Sequence, residues 1–270
     1  LVLNQLMPTH FVTREVNLAL NSPALWWIIG AGVLAQTVDG ALGMAYGVSA
    51  NSFLLGVGLP PAIASASVHS AEIVTTAISG ISHWHEGNTD RRMVLSLLIP
   101  GVIGGALGAY ILTNIDGNKI KPYITIYLLL MGIRILVKAF NGAQLSEEKQ
   151  TSKWLIPLGL VGGVSDAIGG GGWGPIVTST LISSGHAPRK AIGSVNFAEF
   201  FVTIAEVIVF ITSLSFVENW RYIVALLIGG VIAAPLGARI TRKIPAKTLM
   251  IMVGILIIVL QLRTLYQIYF

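Results

Sequence analysis

The sequence contains no cysteine and few charged residues. Without cysteine, disulfide bonds, thiolate metal sites and cysteine nucleophiles are all excluded. Charged residues make up only 11% of the 270 residues, whereas 54% are hydrophobic. Because soluble domains carry about 25% charged residues, an ordinary soluble domain is excluded as well. The composition indicates an integral membrane protein embedded in a lipid bilayer.

Motifs for cofactors and for nucleic acid are missing too. The glycine run at residues 169 to 172 is not followed by the Lys-Ser/Thr pair of a phosphate-binding loop. We therefore expect no cofactor, and any transport must be driven by a gradient. The net charge is +5 and the isoelectric point is near 9.6. In a membrane protein, basic residues indicate the orientation in the bilayer before they indicate nucleic-acid binding, so no nucleic-acid partner is expected.

Apolar runs predict the helices. Six runs have about the 20 residues that cross a bilayer, at residues 61 to 83, 92 to 113, 120 to 140, 188 to 212, 219 to 240 and 248 to 269. Four shorter runs, at residues 25 to 38, 44 to 57, 154 to 166 and 173 to 184, suit broken or re-entrant helices. The sequence therefore predicts an all-α polytopic membrane protein.

The chain also repeats itself. Residues of the first copy recur 127 positions later, and 129 positions later in the second part of each copy. The matched pairs include Asp39 with Asp166, Gly43 with Gly170, Gly47 with Gly174, Ser67 with Ser194, Glu72 with Glu199, and Arg134 with Arg263. We assign residues 1–23 to a surface segment, 24–140 to the first repeat, 141–152 to a linker and 153–270 to the second repeat. Each repeat contains one short helix pair and three spanning helices.

Basic residues predict the orientation. Most of the 17 Lys and Arg residues fall on one side if each short pair returns to the side it left, and we take that side as cytoplasmic. Each repeat then crosses the membrane an odd number of times, so the second copy is inverted. The linker is cytoplasmic and both termini lie outside, in the inner membrane of a prokaryote. Inverted repeats with broken helices are typical of secondary transporters.

The glycine-rich breaks are the first candidate site. Glycine lets a ligand or another helix approach closely, and a short helix that starts near Trp173 would aim its N-terminal amides at an anion. Tight helix packing alone is the alternative explanation. The predicted substrate-binding residues are Gly43, Tyr46, Gly47, Ser67, His69, Gly170, Gly171, Gly172, Trp173, Ser194 and Asn196. Asp39 and Asp166 are predicted to cap the helix breaks.

Glu72 and Glu199 are the second candidate site. A charged carboxylate at membrane depth costs about 3 kcal/mol on insertion scales, so such residues face the protein interior. Each glutamate lies on a polar stripe with a spacing of three and four residues, and the second stripe also contains Glu206. We predict that Glu72 and Glu199 carry protons. A structural carboxyl group that bonds across helices is the alternative.

The repeated motifs resemble those of a known family. The glycine-rich breaks, the segments from Ala64 to His69 and from Ala191 to Asn196, and the Pro-Leu-Gly-Ala sequence before Arg239 are similar to the TauE/SafE sulfite exporter family, also called the toluene-sulfonate uptake permease family. The resemblance implies a carrier of sulfur-containing anions such as sulfite, thiosulfate or organosulfonates. The first break departs from the family pattern at Met44, Ala45 and Tyr46.

Three other functions were weighed. A metal-ion permease would use Asp39, His69, Glu72, Asp166 and Glu199 as ligands. An anion channel would leave the costly glutamates without a purpose. An intramembrane aspartyl protease would need Asp39 and Asp166 as a dyad, but neither lies in a Gly-x-Gly-Asp sequence. We therefore expect a transporter and not an enzyme, and no resident metal. The oligomeric state is not encoded in any of these patterns.

The absence of cysteine makes the predicted topology testable. Single cysteines in place of Gln144 and Asn118 should react with an impermeant maleimide from opposite sides of the membrane, Asn118→Cys from outside and Gln144→Cys from the cytoplasm. Labelling of both positions from outside in intact cells would contradict the inverted arrangement.

Overall fold

The computed structural model describes residues 23–42, 45–141, 154–214, 216–240 and 246–270. Most of the predicted surface segment (1–23), nearly all of the predicted linker (141–152) and Gly43 lie outside these ranges. All regular secondary structure within the described ranges is helical.

The first half forms five helices. They are α1 (Pro23–Leu42), α2 (Tyr46–Gly56), α3 (Pro61–His85), α4 (Arg91–Asn114) and α5 (Gly117–Asn141). Helix α3 starts on a proline, whose missing N–H is no loss in the first turn. Helix α4 starts where the Asp90 side chain accepts hydrogen bonds from the N–H groups of Arg92 and Met93, at 2.8 and 3.0 Å.

The second half repeats this order with one irregular element. Its elements are α6 (Leu155–Gly169), a π-helical segment (Gly174–Thr178) that continues into α7 (Ser179–Ser183), α8 (Pro188–Ser213), α9 (Phe216–Ile240) and α10 (Ala246–Tyr269). A π-helical turn is uncommon and occurs often at functional sites. It contains Pro175, which cannot donate a backbone hydrogen bond.

Helix boundaries recur at the spacings found in the sequence. Helices α1 and α6 end 127 positions apart, α3 and α8 start 127 positions apart, and α5 and α10 start 129 positions apart. One predicted length differs, because α1 has 20 residues and extends beyond the apolar run at residues 25 to 38. The extension passes through Asp39, a polar residue that apolarity alone does not assign to a helix.

The halves exchange their first helices. Helix α6 packs on α4 of the first half, and α1 packs on α9 of the second half. Glycine makes both contacts close: a β-carbon on Gly104 would lie 2.2 Å from the carbonyl oxygen of Leu160, and one on Gly32 would lie 2.7 Å from that of Leu226. Small residues have this role in membranes, where lipid removes the hydrophobic drive for helix association.

Equivalent helices run antiparallel where they touch. Along α5 and α10, Gly132 faces Ile257 whereas Leu136, further along α5, faces Gly254, earlier on α10. Along α3 and α8, His69 lies near Glu206 and Ser79 bonds to Asn196. Opposite directions of equivalent helices are what inverted repeats require. How the copies lie relative to the bilayer stays a prediction.

The outer surface is suited to lipid. Four helices in the described ranges are long and apolar enough to cross a membrane: Arg91–Asn114, Gly117–Phe140, Arg189–Ser213 and Met250–Tyr269. Large apolar side chains such as Ile99, Leu130 and Val259 are exposed on them. Helix α3 is equally long, but its face of Ser, His and Glu side chains is polar and buried. The protein is therefore an all-α polytopic membrane protein with a polar interior.

The antiparallel contact of α5 with α10 can be tested by cross-linking. The β-carbon of a cysteine at Gly132 would lie 3.2 Å from Cβ of Ile257, close to the spacing of about 3.5–4.5 Å in disulfides. We expect oxidation of the Gly132→Cys/Ile257→Cys protein to join the two halves after cleavage at a protease site inserted in the linker. The control pair Gly132→Cys/Leu262→Cys, more than one helical turn away, should stay unlinked. Efficient linkage of the control instead would contradict this register.

Candidate functional site

The two glycine breaks touch each other through their backbones. A β-carbon on Gly47 would lie 2.6 Å from Cα of Gly171, and one on Gly171 would lie 2.2 Å from the backbone nitrogen of Val48. Gly171 also has a φ of +140°, which side chains rarely allow. Only glycine fits this crossing point. The break that ends α6 and the break that begins α2 therefore form one site.

Side chains of the first half bind the carbonyl groups that the second break leaves without helical partners. Asn51 Nδ2 donates to Gly169 O at 2.5 Å, and the Tyr127 hydroxyl donates to Gly171 O at 3.2 Å. Ser65 Oγ likewise donates to the carbonyl oxygen of the preceding turn, that of Ala167, at 2.6 Å. Asn51 and Tyr127 are not among the predicted site residues, because no local sequence pattern connects them to a break that follows more than 40 residues later.

The two aspartates cap the helix breaks at equivalent positions. Asp166 Oδ1 accepts a hydrogen bond from the N–H of Trp173 at 2.9 Å, and Asp39 bonds in the same way to the N–H of Tyr46. Both bonds join positions seven residues apart, 127 residues from each other. Such bonds satisfy N–H groups at the helix starts that would otherwise be unpaired inside the membrane.

A small cavity lies between the breaks. Its volume is about 20 Å³, enough for roughly one water molecule. Nine of the predicted site residues line it: Asp39, Tyr46, Gly47, Glu72, Asp166, Gly171, Gly172, Asn196 and Glu199. Four residues with carboxyl side chains thus line one small space. The Tyr46 hydroxyl is buried without a hydrogen-bond partner among the described residues.

Ser67 and Ser194 lie away from this cavity although their positions are equivalent. Ser67 Oγ donates to Ile63 O of its own helix at 2.7 Å. Ser194 Oγ accepts from the backbone N–H of Asp90 at 2.8 Å and so fixes the turn before α4. Their observed contacts are therefore structural.

Trp173 and Gly170 also lie outside the cavity lining. The indole ring of Trp173 is fully buried in an apolar cluster that joins α4 of the first half to helices of the second half, and its Nε1 donates to Val195 O at 3.2 Å. Gly170 ends α6 with a φ of +62° and packs under the side chain of Asn51. Gly43, the remaining predicted residue of the first break, lies outside the described residues.

His69 lies behind the cavity wall between two carboxyl groups. Its Nδ1 is 2.9 Å from Glu72 Oε2 and 3.2 Å from Glu206 Oε2, and its Nε2 is 3.2 Å from Asp166 O. Both His69 and Glu206 are fully buried. Glu206 lies on the predicted polar stripe of the second repeat but is not among the predicted site residues. Its contact with His69, 137 positions earlier, depends on the packing of α8 against α3.

His69 and Glu206, together with the side chain of Asp166, form the one group in the described ranges that could hold a metal ion. Ligand atoms of His69, Asp166 and Glu206 lie within 4.8 Å of one another. Both ring nitrogens of His69 already have partners and Asp166 Oδ1 caps Trp173, whereas Asp166 Oδ2 and both oxygens of Glu206 have no hydrogen-bond partner among the described residues.

A second, smaller cavity carries basic residues. Its volume is about 10 Å³, and it shares Ala45 and Pro175 with the central cavity. Arg134 Nη2 lies 3.3 Å from Thr180 Oγ1, and Lys138 Nζ lies 3.2 Å from Ser179 Oγ. Two cationic side chains one turn apart on α5 therefore stand beside the π-helical segment and α7.

Comparison with known proteins agrees with this architecture. The family model for the sulfite exporter TauE/SafE matches residues 28–264, which include both breaks and both cavities. The chain belongs to the TauE/SafE family. As a TauE/SafE protein it is a membrane transporter, in agreement with the resemblance found in its motifs.

Two relatives from Bacillus subtilis (strain 168) are similar to this TauE/SafE protein. "Probable membrane transporter protein YtnM" is 45% identical over 240 residues, which cover 87% of this chain and 80% of the relative. "Probable membrane transporter protein YunE" is 22% identical over 266 residues, which cover 89% and 97%. No solved structure matches the chain. The names of both relatives agree on membrane transport and specify no substrate.

The crossing of the breaks can be tested with a matched pair of glycine variants. Gly58→Ala introduces a β-carbon at a φ of +98° into open space, so it should cost only backbone strain of about 1–3 kcal/mol. Gly171→Ala adds a collision with the backbone of Gly47 and Val48. We expect a clearly larger loss of thermal stability in detergent for Gly171→Ala. Equal melting temperatures would show that the breaks do not need this contact.

Proposed function

We propose that this TauE/SafE protein is a secondary transporter that moves a small sulfur-containing anion, such as sulfite, thiosulfate or an organosulfonate, together with protons. The observation that carries the proposal is a cavity closed between two glycine breaks and lined by four carboxyl groups. The family name suggests the substrate class. A gradient is the expected energy source, because the sequence has no nucleotide-binding motif.

The carboxyl groups give proton coupling its physical reason. An anion cannot share so small a space with four charged carboxylates, since like charges repel strongly where water is scarce. Asp39 and Asp166 already accept backbone hydrogen bonds at the helix starts. We therefore assign proton exchange to Glu72 and Glu199. If protonation favours the anion, the anion must favour protonation to the same degree.

The cavity wall offers groups that could hold an oxyanion. The Tyr46 hydroxyl lacks a partner among the described residues and can donate to a substrate oxygen. Asn196 also lines the cavity, with its amide bonded to Ile192 O and Ser79 Oγ, and Gly47, Gly171 and Gly172 let the backbone approach closely. We assign these five residues to substrate binding. In this arrangement the first break narrows the site through Tyr46.

The basic pair supports an anion as substrate. Arg134 and Lys138 stand at the cavity that meets the central cavity at Ala45 and Pro175. At the equivalent positions of the second repeat, 129 residues later, the sequence has Arg263 and Gln267, so the second cation is missing there. We propose that the pair attracts the anion on the cytoplasmic side, where the linker also lies, and that both termini lie outside the inner membrane.

Transport requires the breaks to move apart. A cavity for one water molecule is too small for sulfite or a larger sulfonate. The site described is therefore too narrow to hold the proposed substrate. Separation of Gly47 from Gly171 would enlarge the site, and rocking of one repeat against the other would open it to alternate sides, as in other inverted-repeat carriers.

A metal-ion permease is the second candidate. The observation that favours it is the group of His69, Asp166 and Glu206, beside a cavity that is rich in carboxyl groups. Hard and borderline divalent cations accept such ligands. The two candidates differ in a measurable way, because a cation binds best to charged carboxylates whereas an anion needs them neutral.

Uptake into proteoliposomes tests the proposal. We expect purified protein to accumulate labelled sulfite or thiosulfate when a pH gradient is imposed, and an entrapped dye to report simultaneous proton movement. Glu72→Gln and Glu199→Gln should each remove the pH dependence, since glutamine mimics a permanently neutral side chain, while anion binding persists.

The exposed Glu86 provides the matched control, and Glu86→Gln should behave as the wild-type protein. Uptake of Mn²⁺ or Zn²⁺ without sulfur anions, weakened by both glutamine variants, would support the permease instead. Wild-type pH dependence in both glutamine variants would exclude Glu72 and Glu199 as the coupling groups.

A further inference from the structure

The contact of two carboxyl groups with one imidazole nitrogen goes beyond the coupling role given to Glu72 and Glu199. Glu72 and Glu206 approach His69 Nδ1 from two different helices, α3 and α8, with Oε2 atoms 2.9 and 3.2 Å away. Of the three side chains, His69 and Glu206 have no exposed surface and Glu72 has 5%. The aromatic ring of Phe210 lies parallel to the imidazole, with the two ring centroids 6.3 Å apart.

Hydrogen-bond chemistry restricts the protonation states of this group. His69 Nε2 lies 3.2 Å from the carbonyl oxygen of Asp166, which can only accept, so Nε2 carries a hydrogen. Nδ1 then either donates as part of an imidazolium or accepts from a protonated carboxyl group. At least one further proton must lie between Nδ1 and the two carboxyl oxygens, because a fully deprotonated set would bury two uncompensated negative charges.

We propose that His69, Glu72 and Glu206 form a single proton-holding centre, which we call the His69 triad, and that Glu72 connects it to the substrate cavity. The proposal rests on the proposed function for its link to transport. It adds a residue, Glu206, and a store for protons that the cavity itself does not contain.

Glu72 has the geometry of a connector. Its Oε2 contacts His69, whereas its Oε1 faces the break, where a β-carbon on Gly47 would lie 3.1 Å away. Glu206 approaches the same ring nitrogen from α8, next to Gly105 of α4, with Oε2 in ion-pair range of Nδ1 but with neither carboxyl oxygen in hydrogen-bond geometry with a described residue. Glu206 does not line the central cavity. Protons therefore enter and leave through Glu72, and Glu206 is the remote member.

Proton uptake changes the charge beside the cavity by one. With one shared proton the triad contains an imidazolium and two carboxylates, a net charge of −1. A second proton forms an O–H bond on Glu72, and the triad becomes neutral. The reverse step breaks that O–H bond and returns the proton to the cavity. An anion next to Glu72 is thus repelled by the first state and tolerated by the second.

Other ionisable groups near the imidazole are few. Asp166 of α6 presents its backbone oxygen to the ring while its carboxyl oxygen Oδ1 caps Trp173. Glu199 of α8 and Asp39 of α1 face the central cavity. The carboxyl groups of Glu72 and Glu206 are the ones in contact with Nδ1.

The duplication shows that the triad occurs once in the chain. The residues 127 positions away from His69 and Glu206 are Asn196 and Ser79. These two also contact each other, with Ser79 Oγ donating to Asn196 Oδ1 at 3.1 Å. The fold therefore makes the same contact between α3 and α8 twice. One contact joins His69 and Glu206, which can titrate, and the other joins Ser79 and Asn196, which cannot.

This relation supplies variants that the fold should tolerate. The double variant His69→Asn/Glu206→Ser replaces one pair by the pair that the equivalent position already contains, and Glu206→Gln removes only one titrating group. Ser79→Ala is the matched control, because it removes the equivalent contact without touching the triad. Melting temperatures verify folding for each protein.

Two measurements test the proposal. Infrared difference spectra between acidic and alkaline pH report carboxyl and imidazole protonation without any transport. We expect Glu206→Gln to shift both the carboxyl signal of Glu72 and the imidazole signal, because it removes a negative charge beside them, and the double variant to lose the imidazole signal. In proteoliposomes, both variants should carry fewer protons per sulfite and lose most of the pH dependence, whereas Ser79→Ala should match the wild-type protein.

The outcomes separate the triad from the proposed function. If the wild-type protein moves no sulfur anion but its spectra change as expected with Glu206→Gln, the triad stands and the proposed substrate is wrong. If wild-type transport depends on pH, and both variants keep that dependence and give the same difference spectra as the wild-type protein, the proposal of the His69 triad is wrong. Stoichiometric Zn²⁺ or Mn²⁺ binding that the double variant abolishes would assign these side chains to a metal and overturn the proposal.

Discussion

The backbone contact between Gly47 and Gly171 is the constraint on which the rest of this structure depends. Two interrupted helices can meet inside a membrane only if their unpaired N–H and C=O groups find partners within the protein, since lipid offers none. Here Asp166 and Asp39 satisfy the N–H groups, and the side chains of Asn51 and Tyr127 satisfy carbonyl groups. The irregular backbone is therefore enclosed by helices, and the polar groups that enclose it form the walls of a cavity.

Duplication explains why such a site lies at the centre of the molecule. Each half alone would leave its break and its glycine-lined helix faces without a partner, and the exchange of α1 and α6 between the halves covers them. Equivalent helices meet antiparallel at α3 with α8 and at α5 with α10, so the contacts nearest the centre join residues of both copies. At such contacts, residues that differ between the two copies lie close to one another in space. The His69–Glu206 contact and the Asn196–Ser79 contact are the clearest example.

Buried charge is the feature that links the structure to transport by this TauE/SafE protein. Carboxyl groups are expensive at membrane depth, yet four of them line a space for one water molecule. Under the proposed mechanism this free-energy cost has a role in transport. Protonation of the carboxyl groups removes it, and loss of the protons restores it. The basic pair of Arg134 and Lys138 lies outside that space, beyond Ala45 and Pro175, where a cation can draw in an anion without neutralising the carboxyl groups permanently.

The sequence by itself determined the membrane class, the positions of the helices, the duplication and the family, since apolar runs, glycine breaks and repeated residues are local or periodic signals. It also selected nine residues that line the cavity. It did not select Asn51, Tyr127 and Glu206. Substrate binding by Ser67, Ser194 and Trp173 stays a prediction, and in the structure these side chains bond to backbone groups outside the cavity lining. Only the tertiary structure decided these assignments. The physical reason is that a helical period shows which residues share a face, whereas the residue that meets them across the interface depends on how helices distant in sequence pack.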